Sequence, residues 1–250
     1  MSQTVQRAID ILEFCSVRPR TLLEIADMIG VHRTTALRLV QTLAGGGLIR
    51  RDERGLYGVG FRLAALADSA LRQFDLRTMV HPFILDLSER VGQTVQFAVP
   101  DGDAVVYVDK IEPADSIHLD TRIGGQVVVQ TAGVSKALLA FMDPEQRDRI
   151  VDGITFRPFT SSSITSREEF LRRLDEVRDT GWAYDDGEYE EISNCIAAPV
   201  WNHAGTAAGA ISITAIKSQM DLTRLRELLP DLLETARAVS ESLGWSPTAS

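Results

Sequence analysis

The spacing of apolar residues changes once along this chain, and that change limits the fold more than any other feature. Up to residue 92, apolar side chains recur mostly at helical intervals. They run Val5, Ile9, Leu12 and Cys15, then Ala36, Leu37, Val40 and Leu43, then Leu63, Leu66, Ala67, Ala70, Leu71 and Phe74. From Gln93 the period drops towards two, in QTVQFAV and AVVYVDKI, the pattern of strands with one buried face. A helical N-terminal domain followed by an α+β domain with an antiparallel sheet satisfies both periods. A chain of 250 residues is long enough to bury two cores.

Composition narrows the class. With 44% hydrophobic and 24% charged residues, the sequence reads as a soluble globular protein. No apolar run approaches the roughly 20 residues of a membrane helix, and no secretory leader opens the sequence. A reduced, cytoplasmic protein with no membrane partner is therefore expected. Cys15 and Cys195 are too few and too distant for a disulfide framework or a four-ligand zinc site. His81, His118 and His203 show no metal-ligand spacing, so neither metal nor cofactor is expected.

Charge divides the chain unevenly. Residues 1–60 hold eight arginines against six carboxylates, a net of +2, whereas the rest holds 18 basic and 29 acidic groups, a net of -11. No carboxylate lies between Asp27 and Asp52, a window that contains Arg33, Arg38, Arg50 and Arg51. Only three lysines occur in the whole sequence, so arginine alone says little; the gap in the acids says more. It suggests a small domain that faces a polyanion.

Within that domain the spacing predicts a helix over residues 3–16, ended by Pro19. Thr21-Leu-Leu-Glu24 is a capping box that opens a short helix running to Gly30. A second helix runs from about Arg33 to Ala44 and stops at Gly45-Gly46-Gly47. A helix, a glycine turn and a second helix with a polar N-terminal end make a helix-turn-helix. LIRRDERGLYGVG then reads as strand, turn and strand, a wing with Arg54 at its tip. Arginine pairs with guanine edges, threonine methyls touch thymine, and helix N-terminal amides receive phosphate. The candidate DNA contacts are Arg7, His32, Arg33, Thr34, Thr35, Arg38, Arg50, Arg51 and Arg54.

Residues 61–78 read as a linker helix within a long helical tract, interrupted near Asp75 and again at Pro82. Its wide apolar stripe suits its own domain or a second copy. One helix-turn-helix covers a half-site, so a homodimer on a palindromic operator is the economical expectation, alone or as a dimer of dimers. In residues 79–245 a hairpin about PDGD is followed by SIHLDTRIGGQVVVQ, read as further strands. SKALLAFMDPEQRDRIVDG is read as helical, and Ser166 caps a helix that ends at Gly181. A second hairpin turns at His203–Thr206. A final helix over about 222–243 is expected to kink at Pro230, and 246–250 reads as a disordered tail.

TVQRAIDIL, LLEIADMIGVHRTTALRLVQTL, DGDAVVYVDKIE, TAGVSKALLAF and GWAYDDGEYEEISNCIAAPVWN resemble the IclR family of bacterial transcriptional regulators across nearly the whole chain. The resemblance implies a winged helix-turn-helix at residues 1–60, a linker helix and a GAF-like effector-binding domain. Its function would be sequence-specific DNA binding controlled by a small organic-acid effector, without catalysis. The sequence departs from the family pattern at Gln130 and Ser135, both expected near the pocket.

The pocket follows partly from spacing. Counting outward from the 203–206 turn sets Asn202 against Ala207, Ala197 against Ser212 and Cys195 against Thr214. Opposed residues, and residues two apart, share a sheet face. Cys195, Ser212 and Thr214 thus fall on one face. The small residues Thr131–Val134 lead into a helix near Ser135 whose amides suit a carboxylate. The resemblance implies that Gly133 and Val134 donate from the backbone, that Asp185 binds the effector's polar end, and that Leu119 and Val127 form an apolar wall. Asp185 beside a carboxylate is repulsive unless it is protonated or bonded to a hydroxyl, which favours a hydroxylated ligand. Lys136 is read as a solvated helix lysine, with a carboxylate partner as the alternative. The alternative function is a GAF-domain redox sensor or enzyme using Cys195, which needs a base or cation to lower its pKa.

Overall fold

The computed structural model describes residues 2–66, 75–113 and 121–247, and it divides into two compact units, Met1–Asp75 and Leu76–Ser250.

In the first unit, α1 (Gln3–Val17), α2 (Leu22–Met28) and α3 (Arg33–Gly45) enclose a core of Ile11, Cys15, Ile25, Ala36 and Val40. The capping box is formed: the Glu24 amide donates to Thr21 Oγ1 at 3.2 Å, and the Thr21 amide donates to Glu24 Oε2 at 2.8 Å. Gly30 turns the chain between α2 and α3 at φ +63°, a conformation a side chain would strain. Strands β1 (Ile49–Arg51) and β2 (Tyr57–Val59) pair antiparallel as the wing, with Arg51 opposite Tyr57. Tyr57 also exchanges two backbone bonds with Arg20, which ties the wing to the segment after α1. Residues 62–66 are helical, and the part of the expected linker helix at 67–74 lies outside the described residues.

The second unit opens with α4 (Leu76–Val91), which runs through Pro82 without the expected interruption. Proline removes one backbone bond there, and the buried Val80, Ile84 and Leu87 hold the helix to the sheet. Five strands follow: β3 (Thr94–Asp101), β4 (Ala104–Ile111), β5 (Ala183–Asp186), β6 (Ser193–Trp201) and β7 (Ala207–Ile216). They form one antiparallel sheet in the order β4-β3-β7-β6-β5. Between them come α5 (Gly133–Leu139), α6 (Pro144–Asp152) and α7 (Arg167–Thr180).

Side-chain alternation gives the sheet two buried faces. Val95, Phe97, Ile196, Ile211 and Ile213 join α4 and the last helix in one core. Ala98, Val105, Ala197 and Ala210 join α5, α6 and α7 in the other. The C-terminal helix is broken rather than kinked: α8 (Leu222–Leu225) and a 3-10 turn (Arg226–Leu228) precede α9 (Leu229–Ser242). Pro230 lies in the first turn of α9, where a missing amide proton removes no helical bond.

A further sequence expectation changes in the segment after β4. Among residues 121–130 no regular strand forms, only an isolated bridge from Gln126 to Val106, where Gly124, Gly125 and Val127 bond through the backbone to Val105 and Tyr107 on the free edge of β4. Asp185-Asp186-Gly187 is good turn chemistry, yet Asp185 and Asp186 close β5, with Asp185 opposite Cys195, and the chain turns only at Gly187, at φ +75°.

Candidate functional site

Two sites emerge, one in each unit. In the first, His32 caps α3: its ring Nδ1 accepts from the Thr34 amide at 3.5 Å and lies 3.0 Å from Thr34 Oγ1. Arg33, Thr34, Thr35 and Arg38 are exposed on the first turns of α3, while Ala36 and Val40 on the opposite side are fully buried. Among the described residues of this unit, ion pairs join Arg18 and Arg20 to Glu24, and Arg54 to Asp52. Arg33 and Arg38 take no part in them. Arg50, Arg51 and Arg54 are exposed on the wing. Arg51 donates to the Gly55 carbonyl at 3.3 Å, and Arg50 lies over the Phe61 ring. Arg54 at the wing tip is held 3.3 Å from Asp52, whose carboxyl is lowered chiefly by the Leu56 amide bonded to it. Arg7 is half-buried on α1.

In the second unit a cavity of about 330 Å³ lies between the sheet and the 121–134 segment. β6 and β7 supply Cys195, Ser212 and Thr214, β5 supplies Asp185, and the start of α5 supplies Gly133 and Val134. The register is Cys195 opposite Thr214 and Ala197 opposite Ser212. Near the turn the count differs: Trp201, not Asn202, opposes Ala207, and a bulge follows between Val200 and Trp201. The longer loop and the bulge offset each other, which leaves the register at the cavity unchanged.

Val127 is absent from the lining. It is buried in the core beside Val105, and Val128 reaches the cavity instead. Leu119 lies outside the described residues, as does His118. Gln130 and Ser135 also stay out of the cavity. Gln130 binds the backbone of Arg157 and Ile164, and the Ser135 hydroxyl donates to the carbonyls of Val129 and Ala132. Both therefore brace the loop before α5.

Gly133 is glycine for a steric reason. A Cβ there would lie 2.7 Å from Cys195 Sγ and 3.3 Å from Ala197 Cβ, so α5 approaches β6 this closely only without a side chain. Because α5 has only seven residues, individual amides matter here more than a helix dipole.

Lys136 overturns its sequence reading. It is fully buried, and its ammonium donates to Glu188 Oε1 at 2.5 Å and to the Tyr184 carbonyl at 2.9 Å. Burial pushes Glu188 up to about 7 despite that contact. Burial also raises Asp185, against the pull of Lys136 and of the Glu188 amide, which donates to Asp185 Oδ1 at 2.7 Å. The short ion pair and the raised carboxyls fit one picture, in which a single ammonium serves two buried carboxyls and neutralises only one. Burial, then Asp185, pushes the Cys195 thiol up to about 12, the opposite of what a nucleophile or redox sensor requires.

Sequence reasoning missed Gln96, Thr121 and Arg122 on the cavity wall. Gln96 was findable in principle, as a polar residue set between the apolar Val95 and Phe97. Its position opposite Ser212 comes from the β3–β7 pairing, which no hairpin count reaches.

A winged helix-turn-helix followed by a sheet domain with a polar cavity defines a class of two-domain DNA-binding regulators. The IclR helix-turn-helix domain matches residues 4–53, and the bacterial transcriptional regulator IclR C-terminal domain matches residues 68–241. The chain belongs to the IclR family of bacterial transcriptional regulators. It is 29% identical to the HTH-type transcriptional regulator XynR of Escherichia coli (strain K12) over 246 residues, 97% of this chain and 98% of that protein. The transcriptional repressor IclR of the same strain is 26% identical over 248 residues, 97% and 90% of the two chains. Among solved structures, Thermotoga maritima IclR matches with a TM-score of 0.65 at 27% identity, covering 97% of this chain and 99% of that one. The Agobacterium tumefaciens repressor BlcR matches with a TM-score of 0.79 at 25% identity, covering 97% and 98%.

Proposed function

We propose that this protein is a sequence-specific transcriptional regulator whose operator affinity is controlled by a small organic acid bound in the sheet-domain cavity. The observation that carries this reading is the exposed N-terminal end of α3, where Arg33 and Arg38 stand outside the ion pairs among the described residues of their unit. A surface that leaves its cations uncommitted suits the phosphates and guanine edges of a duplex. Thr34 and Thr35 beside them add methyl and hydroxyl contacts. Arg50, Arg51 and Arg54 on the wing, with Arg7 on α1, serve as backbone contacts.

The working form is a homodimer on a palindromic operator, since one such unit spans a single half-site. It acts in the bacterial cytoplasm, where the DNA is. In the cavity the effector carboxylate lies at the Gly133–Val134 amides, and its polar end meets Asp185, Cys195, Ser212 and Thr214. A coupling of about 1–3 kcal/mol between effector and operator is enough for control.

The test is binding of the full chain to the DNA upstream of its own gene, measured by fluorescence anisotropy across a salt series. Affinity falls steeply with salt, and Arg33→Ala with Arg38→Ala weakens binding and flattens the salt slope by about 0.9 for each phosphate that is no longer neutralised. Unchanged affinity and slope in the double variant would refute the assignment of α3. A thermal-shift screen of small carboxylates tests the effector, because a ligand that binds only the folded chain raises its melting temperature.

A further inference from the structure

Gln96 lies on β3 opposite Ser212, 3% exposed, in the wall that bounds the cavity. Its amide is engaged at both ends. Oε1 accepts from the Thr214 hydroxyl at 3.3 Å and from the Ser212 hydroxyl at 3.5 Å, while Nε2 donates to Thr121 Oγ1 at 2.5 Å. Thr121 is fixed from its other side, since its carbonyl accepts from Lys110 Nζ at 2.9 Å. The amide is therefore held between the sheet and the segment that crosses it.

A hydroxyl has one proton and two lone pairs. With both protons directed to Gln96 Oε1, Ser212 and Thr214 turn lone pairs towards the cavity. Such a wall accepts hydrogen bonds and does not donate them. A ligand hydroxyl satisfies it. A ligand carbonyl or carboxylate oxygen meets lone pairs with lone pairs, and it bonds only if a hydroxyl leaves Gln96.

We propose that Gln96 is a specificity-determining residue that makes the effector a hydroxy acid rather than the corresponding keto acid, by orienting Ser212 and Thr214 as acceptors. The proposal rests on the reading of the cavity as an effector site and narrows its ligand class. The hydroxyl of the effector turns to β7, and its carboxylate turns away from it, to the amides at the start of α5.

The experiment is isothermal titration and thermal shift of the full chain with matched pairs: lactate and pyruvate, 2-hydroxyglutarate and 2-oxoglutarate, mandelate and phenylglyoxylate. Within any pair that binds, the hydroxy member binds about tenfold more tightly, the cost of leaving a buried polar group unpaired. Gln96→Leu frees both hydroxyls to donate and brings that ratio close to one. Gln96→Glu keeps an acceptor in place and preserves the ratio. A residue that merely supported the fold would weaken both members equally and leave the ratio alone. Tighter binding of the keto member overturns the proposal, because it requires the Gln96 amide turned end for end with Nε2 facing the hydroxyls. An unchanged ratio in Gln96→Leu overturns it too. Where that variant does not fold, the wild-type ratio with Gln96→Glu decides. If no acid of any pair binds, the effector reading itself fails and the proposal falls with it.

Discussion

Lys136→Met tests the buried charge cluster beside the cavity. Methionine keeps an unbranched side chain of similar length and removes the ammonium together with its hydrogen bonds. Lys136 is fully buried against Glu188 and the Tyr184 carbonyl, so the change leaves Glu188 and Asp185 inside the protein without their cation. Removing one partner of a buried pair costs about 3–5 kcal/mol. The full loss applies only while the carboxyls are ionised. Glu188 is raised from 4.5 to about 7, so the folded state holds its proton more tightly than the unfolded chain does. Stability from this group is complete below 4.5 and is lost as pH rises through about 7. Taking away Lys136 removes the largest influence that pulls Glu188 down, and the carboxyl moves higher still. The variant is therefore mildly affected at roughly pH 5.5 and loses the full 3–5 kcal/mol at about pH 8. All three tryptophans, Trp182, Trp201 and Trp245, lie in the second unit, so urea unfolding followed by their fluorescence reports this unit alone. Adding Glu188→Gln to Lys136→Met restores most of the stability at the higher pH. A cost below about 1 kcal/mol at pH 8, or a cost that ignores pH, would refute the reasoning.

Gly133→Ala places a methyl 2.7 Å from Cys195 Sγ and destabilises the second unit by about 1–3 kcal/mol; Cys195→Ala in the same chain recovers part of this in urea unfolding. The Cys195 thiol, pushed up to about 12, resists iodoacetamide in the folded chain near neutral pH, and rapid alkylation followed by mass spectrometry would contradict that. Thr21→Ala removes the bond from Thr21 Oγ1 to the Glu24 amide and lowers the melting temperature of the first unit by an amount equivalent to about 1 kcal/mol, with no change in the second.

Much of the fold was legible because its determinants are local. A capping threonine three residues before a glutamate, a glycine at positive φ and an apolar stripe at helical spacing act within one or two turns. α1, α2 and α3 therefore appear in the structure close to where the spacing set them. The hairpin of β6 and β7 is local in the same sense. Counting from one turn placed Cys195, Ser212 and Thr214 on a common face, and two errors near the turn cancelled. Misreadings arose where a residue's neighbours come from far along the chain. Lys136 looked solvated because nothing within a few turns of it is acidic in the right direction, yet its partner is Glu188, 52 residues away. Asp185 and Asp186 carry turn chemistry together with Gly187, but β6 offers both of them an edge to pair with.

The sequence by itself determined that a winged helix-turn-helix presents a cationic, acid-free helix end, and that a hydroxyl-bearing hairpin lies in the domain that follows it along the chain. Only the tertiary structure decided what that hairpin faces. β3 lies beside β7 although over 100 residues separate Gln96 from Ser212, and that pairing fixes where the hydroxyl protons point. The physical reason is that backbone conformation and side-chain period act over neighbours in sequence. Burial, ion pairing and the direction of a hydrogen bond depend on which distant strand or helix closes against the group.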